Sequence, residues 1–396
     1  MSAGNRLTRT LVLAGAGLLA ADKPVIGQHS RGIEVSGIPA LNFDADEGFG
    51  YGAIFALYGY DGAGTTYQWT LQPTMFLTTE GRRDYTLFYD APSRPGRAWR
   101  ITAFAGREQQ LAAPYYGIGN TTPYDPTMER GGTRYFYRYG HTRNRLSIDL
   151  QHALFHPSVR LLVGAGASRE SINLTPFDSG TTLIERDLSN VAPPRQRTNF
   201  ARVGLTWDTR DREIGTQSGT WADALVQRVD KSLGSTESYT RWTATVRHYQ
   251  PLGGRVLFAN RLLAQNISGD APFYALSEVQ TTQKSQDGLG GSSTVRGLPK
   301  DRYVGKGIVV SNNELRWRAA DFSLAGRQSS LILSTFVDAG RVWTNGIDAS
   351  SVFQELHAGY GGGARLSFGP SCVIALDAGH SSQATAPIYI GLGYMF

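Results

Sequence analysis

The 396-residue chain has a single cysteine, Cys372, so no internal disulfide can form and any exported fate must be stabilised by something other than cross-links. It has no run of eighteen or more apolar residues, which excludes a helical membrane span. Charged residues make up only 18%, little for a soluble protein of this size. Catalytic signatures are missing as well: there is no zinc-type histidine spacing, no phosphate-binding glycine loop ending in lysine and no G-x-S-x-G elbow. The histidines (His29, His141, His152, His156, His248, His357 and His380) are dispersed. His152 shares an apolar face with Leu150 and Leu154, where a packed or interfacial imidazole fits better than a catalytic one. No strand clearly offers a serine beside a histidine, so no enzyme, cofactor or metal site is expected. The net charge of +6 is scattered over strand ends and polar faces and implies no nucleic-acid partner.

What is present points to export and to strands. The apolar run LVLAGAGLLAA at 11–21 follows Arg6 and Arg9, the layout of a secretory signal over residues 1–27 with cleavage after Ala20, Ala21 or Gly27. Residues 28–48 are too few for a folded domain. Their acidic trio, Asp44, Asp46 and Glu47, lacks the glycine and spacing of a calcium loop. From 49 to 396 the chain becomes a succession of segments of about ten residues alternating apolar with polar, the pattern of an all-β, transmembrane antiparallel β-barrel. Tyr67, Trp69 and Leu71 oppose Gln68, Thr70 and Gln72; Leu146, Ile148 and Leu150 oppose Ser147, Asp149 and Gln151; Ala201, Val203, Leu205 and Trp207 oppose Arg202, Thr206 and Asp208. The apolar positions carry tyrosine and tryptophan near strand ends, as an interfacial girdle requires, and outer-membrane lipids would be their partners.

Strand starts are expected near Phe49, Thr65, Arg82, Arg97, Gly132, Arg143, Ser158, Arg197, Gly219, Thr236, Gly254, Tyr303, Gln328, Leu356, Ser371 and Ala386, sixteen in all. In such a barrel short turns lie at one end and long loops at the other. Residues 172–196, 268–302 and 343–355 then fall on the long side, whereas 109–131, with its PYYGIGN core, falls on the wrong one.

The rest of the chain is arranged around residues 288–307, GLGGSSTVRGLPKDRYVGKG, a glycine-rich loop carrying Arg296. It feeds the alternating run 308–317, which includes Glu314. In the run 331–342 Asp338 shares a parity with Ser334 and Phe336, while Leu331, Leu333 and Val337 take the other face. An acid on the polar side of a strand, with an arginine loop near it in sequence, predicts a charge pair inside something hollow. Such a pair attracts more strongly in a restricted interior than at an open surface, and bidentate geometry would set the loop's register.

These residues also carry a resemblance. Val295-Arg296-Gly297-Leu298 resembles the VRG-aromatic motif of the surface-antigen superfamily of bacterial outer-membrane barrels, the assembly and translocation proteins of the BamA/TamA kind and two-partner secretion transporters. Asn312, Asn313 and Glu314 match its N-x-E-like pattern. Phe336, Asp338 and Gly340 match F-x-D-x-G, and Trp207-Asp208-Thr209-Arg210-Asp211 matches a strand-end D-x-R-D. The resemblance extends over most of the chain and implies a long extracellular loop folded back into the lumen, with Arg296 on Asp338 and Glu314 as second partner. Leu298 stands where the family has an aromatic. The chain's end, with Tyr389, Gly391, Tyr394 and Phe396 and with Ile390, Leu392 and Tyr394 on one parity, resembles the C-terminal signal strand that the outer-membrane assembly machinery recognises. Gly48, Gly50, Gly52 and Gly59 in the expected first strand and Gly391 and Gly393 in the last imply a weak seam, which in the family is a lateral gate or a site of bilayer thinning; ordinary barrel-corner glycines are the alternative. The family's periplasmic POTRA domains have no room before Phe49, so the resemblance is to a barrel-only member, with a separate periplasmic partner left to receive clients. The implied function is assistance with insertion, assembly or translocation of protein or lipid at the outer membrane. The alternative is a passive diffusion pore or structural barrel without client handling.

Overall fold

The computed structural model describes residues 31–44, 48–61, 67–79, 81–92, 98–129, 133–175, 181–188, 195–213, 215–282, 285–324, 327–368 and 372–396; the expected signal lies outside them. The main strands are β1 (Arg31–Asp44), β2 (Gly48–Asp61), β3 (Trp69–Thr78), β4 (Arg82–Ala91), β5 (Trp99–Pro114), β6 (Arg138–Ala153), β7 (Val159–Asn173), β8 (Arg195–Asp208), β9 (Gly219–Val229), β10 (Tyr239–Gly253) and β11 (Val256–Gly269). After a short hairpin, β12 (Glu278–Val279) with β13 (Gln286–Asp287), come β14 (Gly307–Leu324), β15 (Arg327–Trp343), β16 (His357–Phe368), β17 (Cys372–His380) and β18 (Thr385–Leu392). Apart from β12 and β13 they form one antiparallel sheet of sixteen strands in strict chain order. β1 and β18, its first and last members, lie side by side.

The period-2 pattern decides which face each residue takes. Along β8 the outward residues Val203, Leu205 and Trp207 are each about half exposed, while Arg202 and Thr206, at alternate positions, are buried. Leu146, Ile148, Val246, Leu262, Leu315 and Val337 repeat this on other strands. The sheet is therefore inverted relative to a soluble protein: bare hydrocarbon on one face, enclosed arginines, acids and amides on the other. An apolar face of that extent needs lipid as its solvent.

The strand count of sixteen conceals two offsetting corrections. Residues 31–44, within the segment expected to precede the barrel, form β1 and pair along their whole length with β2. The two strands expected near Gly132 and Arg143 are one strand, β6. With the numbering corrected, the connection 115–137 follows an odd-numbered strand, as do 174–194, 270–306 and 344–356. All four long connections thus leave the same end, and the anomaly at 109–131 disappears.

The glycines expected at a seam belong one strand further in. Gly50, Gly52 and Gly59 lie on β2, where an added Cβ would strike Phe76, the Met75 carbonyl and the Trp69 ring of β3. They permit close strand packing there. Gly391 faces open space. The last residues also depart from expectation: the chain leaves β18 after Leu392, turning at Gly393 with φ +84°, so Tyr394 and Phe396 are not on a lipid-facing strand. Phe396 is buried against Tyr249 of β10 and Leu257 and Ala259 of β11, and Tyr394 lies under the Arg316 guanidinium, 4.5 Å from ring centre to Cζ.

Candidate functional site

Connection 270–306 links β11 to β14, which are hydrogen-bonded neighbours, so it makes no crossover and is free to fold onto the polar face. Apolar contacts seat it first. Val279, Leu289, Val295, Leu298 and Tyr303 of the connection form one buried cluster with Leu263, Ile308, Val310 and Val342 of the sheet. Leu298, though not aromatic, is only 2% exposed and fills its place in this cluster.

Arg296 sits beside that cluster at the centre of a closed charge network. Its Nε donates to Asp338 Oδ2 at 2.8 Å and its Nη2 to Asp338 Oδ1 at 3.1 Å, a bidentate fork; its own backbone N–H donates to the same carboxylate. Nη1 donates to Glu314 Oε1 at 2.6 Å and to Asp377 Oδ2 at 3.3 Å. Two further arginines complete the set: Arg316 donates to Glu314 at 2.7 Å, and Arg365 forms a fork on Asp377 at 2.7 and 2.8 Å. Three arginines face three carboxylates and no member is more than 9% exposed. Neutrality is what makes the burial tolerable, since an uncompensated charge here would be costly. Burial works against the charge of Arg296, but Asp338, Glu314 and Asp377 outweigh it and raise its pKa above the ordinary arginine value.

The local sequences follow from this geometry. In β15, Phe336, Asp338 and Gly340 are successive residues on the polar face. The Phe336 ring lies 3.5 Å from the Arg296 guanidinium carbon, Asp338 takes the fork, and at Gly340 a Cβ would meet Leu289 of the loop at 2.4 Å. Gly297 has φ +103°, and a Cβ there would lie 2.7 Å from the His380 backbone. Its N–H donates to the Tyr389 hydroxyl, and its carbonyl accepts from Ser381 Oγ. Asn312 holds the loop from the other side, donating to the Thr294 carbonyl and accepting from Arg261; Asn313, of opposite parity, bonds Ser311.

Of the residues singled out from sequence, the structure brings together Val295, Arg296, Gly297, Leu298, Glu314, Asp338 and Tyr389. It does not bring in Gly391, Tyr394 or Phe396, apart from the last two touching Arg316. Sequence reasoning missed Asp377, Arg365 and Arg316, and it missed Gly359, where a Cβ would lie 1.9 Å from the Arg296 carbonyl oxygen. The glycine run at 359 and 361–363, mid-strand in β16, was the available signal, because strand glycines mark a close backbone approach.

Other parts of the connection are fastened separately. Glu278 accepts from Arg143 and Arg145, which also bond Glu108. Burial favours the neutral acid at Glu278, but the two arginines prevail and lower its pKa. Arg302 donates to Gln383 and, twice, to Thr122, and Tyr303 stacks on His357 with ring centroids 3.8 Å apart. The D-x-R-D residues build the 209–218 turn: Asp208 accepts from Arg210, and Asp211 accepts from the backbone of Gln217 and Ser218. Arg100, which forms one fork on Asp90, forms a second on Glu213 of that turn, at 2.9 and 3.1 Å.

The Omp85 superfamily domain matches residues 63–379. Among solved structures, BamA from Haemophilus ducreyi lacking POTRA domains 1-3 is similar at 13% identity and a TM-score of 0.57, over 92% of this chain and 70% of that one. CdiB from Escherichia coli is similar at 15% identity and a TM-score of 0.58, over 91% of this chain and 63% of that one. CdiB from Acinetobacter baumannii gives 13% and 0.51, over 91% and 60%. At these identities the likeness is one of fold. No curated protein sequence matches the chain.

Proposed function

The chain belongs to the Omp85 superfamily of non-catalytic outer-membrane barrel proteins, and from that premise we propose that it assists the insertion, assembly or translocation of protein or lipid at the outer membrane. In this reading β1 closes on β18, the polar face is the lumen, and the 270–306 connection enters it from the cell's exterior. Lipid contacts the apolar face, and the outer-membrane assembly machinery inserts the barrel itself. The side-by-side placement of the two terminal strands supports closure, and the face inversion supports a membrane position.

The observation that carries the proposal is the neutral six-charge cluster fixing the loop to four consecutive strands, β14 to β17. A wide, unobstructed pore is not what a loop pinned in this way makes. A barrel that must stay sealed while its wall remains workable gains from such a loop.

Reconstitution tests this reading. Liposomes carrying the protein should accelerate the folding of a urea-unfolded outer-membrane barrel added from outside, and planar bilayers should show a mostly closed channel. A large constitutive conductance with no effect on client folding would assign the protein to passive diffusion.

A further inference from the structure

On β4 to β8 the outward face changes character toward the long connections, and cross-strand register makes the change in two rows. The first row runs Tyr85, Arg107, Asn144, Arg169, Arg197, each directly opposite the next. The second, two residues nearer the long connections, runs Arg83, Gln109, Thr142, Ser171, Arg195. Beneath them Leu87, Ala105, Leu146 and Ala167 begin the apolar band. Five of the ten side chains in the two rows are arginines and none is an acid. All five arginines are exposed.

The inward face of the same strands balances its arginines, with Asp84 on Arg82 and Glu108 on Arg143 and Arg145. The outward face does not. Arg107 reaches the Asn144 side chain, and Arg83, Arg169, Arg195 and Arg197 make no side-chain hydrogen bond or ion pair among the described residues. Arg169 and Arg197 are directly opposed, about 5 Å apart at the backbone, and like charges so placed repel. An anion held between them removes the repulsion. The unpaired cations are confined to these strands: Arg228 of β9 is paired with Asp230, and Arg341, outward on β15 at the same end, donates to the Ser351 and Gln354 carbonyls. Beside Arg83 a cleft of about 410 Å³ opens, lined in part by Tyr51, Leu77, Tyr85, Leu111 and Tyr135. Tyrosine rings over an apolar floor suit the boundary between a lipid headgroup and its chains.

We propose that the outward face of β4 to β8 binds a phosphorylated lipid of the outer leaflet, its phosphates on the arginine rows and its acyl chains on the apolar rows beneath. Guanidiniums fork onto phosphate oxygens, and a row across five strands spans about 19 Å, wide enough for two phosphates at once. The occupant is a lipid and not a soluble anion because cations and hydrocarbon share one face, two residues apart along each strand. The proposal rests on the reading that lipid covers the apolar face and the long connections lie outside the cell; it does not need the assembly activity.

Native mass spectrometry of the full chain in a neutral detergent tests it, with diphosphoryl lipid A, monophosphoryl lipid A and phosphatidylcholine as the titrated probes. Saturable binding of the diphosphoryl lipid is expected, at least tenfold tighter than phosphatidylcholine, with the monophosphoryl lipid between them. Arg169→Gln combined with Arg197→Gln should weaken it at least tenfold, and Arg107→Gln alone several-fold; heat-modifiable migration checks that each variant is folded. Arg318→Gln, at the short-turn end of β14, should leave binding unchanged. Equal affinity for the diphosphoryl lipid and phosphatidylcholine, or parental affinity in the folded variants, overturns the proposal. So does displacement of the lipid by inorganic phosphate but not by chloride at the same ionic strength, which would assign a bare-anion site. A chain that stayed dissolved without detergent would instead overturn the membrane reading beneath the proposal, and a failure of client folding in reconstitution would refute the assembly role alone.

Discussion

Replacing Arg296 by alanine is the sharpest perturbation the structure offers. The change removes the central cation and leaves three carboxylates against two arginines at positions no more than 9% exposed. Truncating one partner of a buried ion pair costs about 3–5 kcal/mol. Against this stand the apolar anchors Leu289, Val295 and Leu298, whose burial is worth about 1.5–3 kcal/mol each, roughly 5–9 kcal/mol together. The anchors win, so the loop stays seated in most molecules but visits an open state far more often. When opening and closing are fast, proteolysis follows the open population, and 3–5 kcal/mol corresponds to about two to three and a half powers of ten. Lys300 and Arg302, 6% and 2% exposed in the folded loop, supply the trypsin sites, and mass spectrometry of the resulting peptides reads the rate at those bonds alone. Asp338→Ala should produce a similar rise, and the double substitution should fall well short of the sum because the pair is lost only once. Cleavage of Arg296→Ala at the parent rate, or strict additivity, would refute the argument that this charge network holds the loop.

Three other outcomes follow from the geometry. Gly359→Ala, which puts a Cβ on the Arg296 carbonyl, should raise loop cleavage, while Gly391→Ala, with nothing within 4 Å, should not; equal behaviour of the two would remove the case for a glycine cradle. Arg302→Ala breaks three hydrogen bonds between the loop, Thr122 and Gln383, so amide exchange at 119–124 should quicken without change near Arg296, and a uniform response across the protein would count against separate fastenings. The lowered pKa of Glu278 means that its contribution is complete above the ordinary carboxylate value of about 4.3 and is lost only as pH falls through its depressed folded value. Exchange of the 278–287 hairpin, corrected for intrinsic rate, should therefore stay flat from pH 8 to 5; a rise within that window would contradict the Arg143 and Arg145 pairing.

The sequence by itself determined that the chain is built of strands with one apolar and one charged face, because a period of two is written residue by residue and needs no partner to be read. It also singled out Arg296, Glu314 and Asp338, since an arginine followed by glycine in a glycine-rich loop and acids of polar-face parity are local features. Only the tertiary structure decided the rest. Strand β1 escaped notice because its alternation is broken by Gly32, Gly37 and Pro39, and pairing with β2 supplied what propensity did not. Whether 132–153 held one strand or two depended on β5 and β7, which pair with it from either side. Asp377 and Arg365 joined the Arg296 cluster because cross-strand register, which is set by neighbours and not by spacing along the chain, aligned β14 to β17. The course of Phe396 was likewise a matter of space: beyond Leu392 the sheet ends, and the aromatic side chain found its apolar surroundings on β10 and β11.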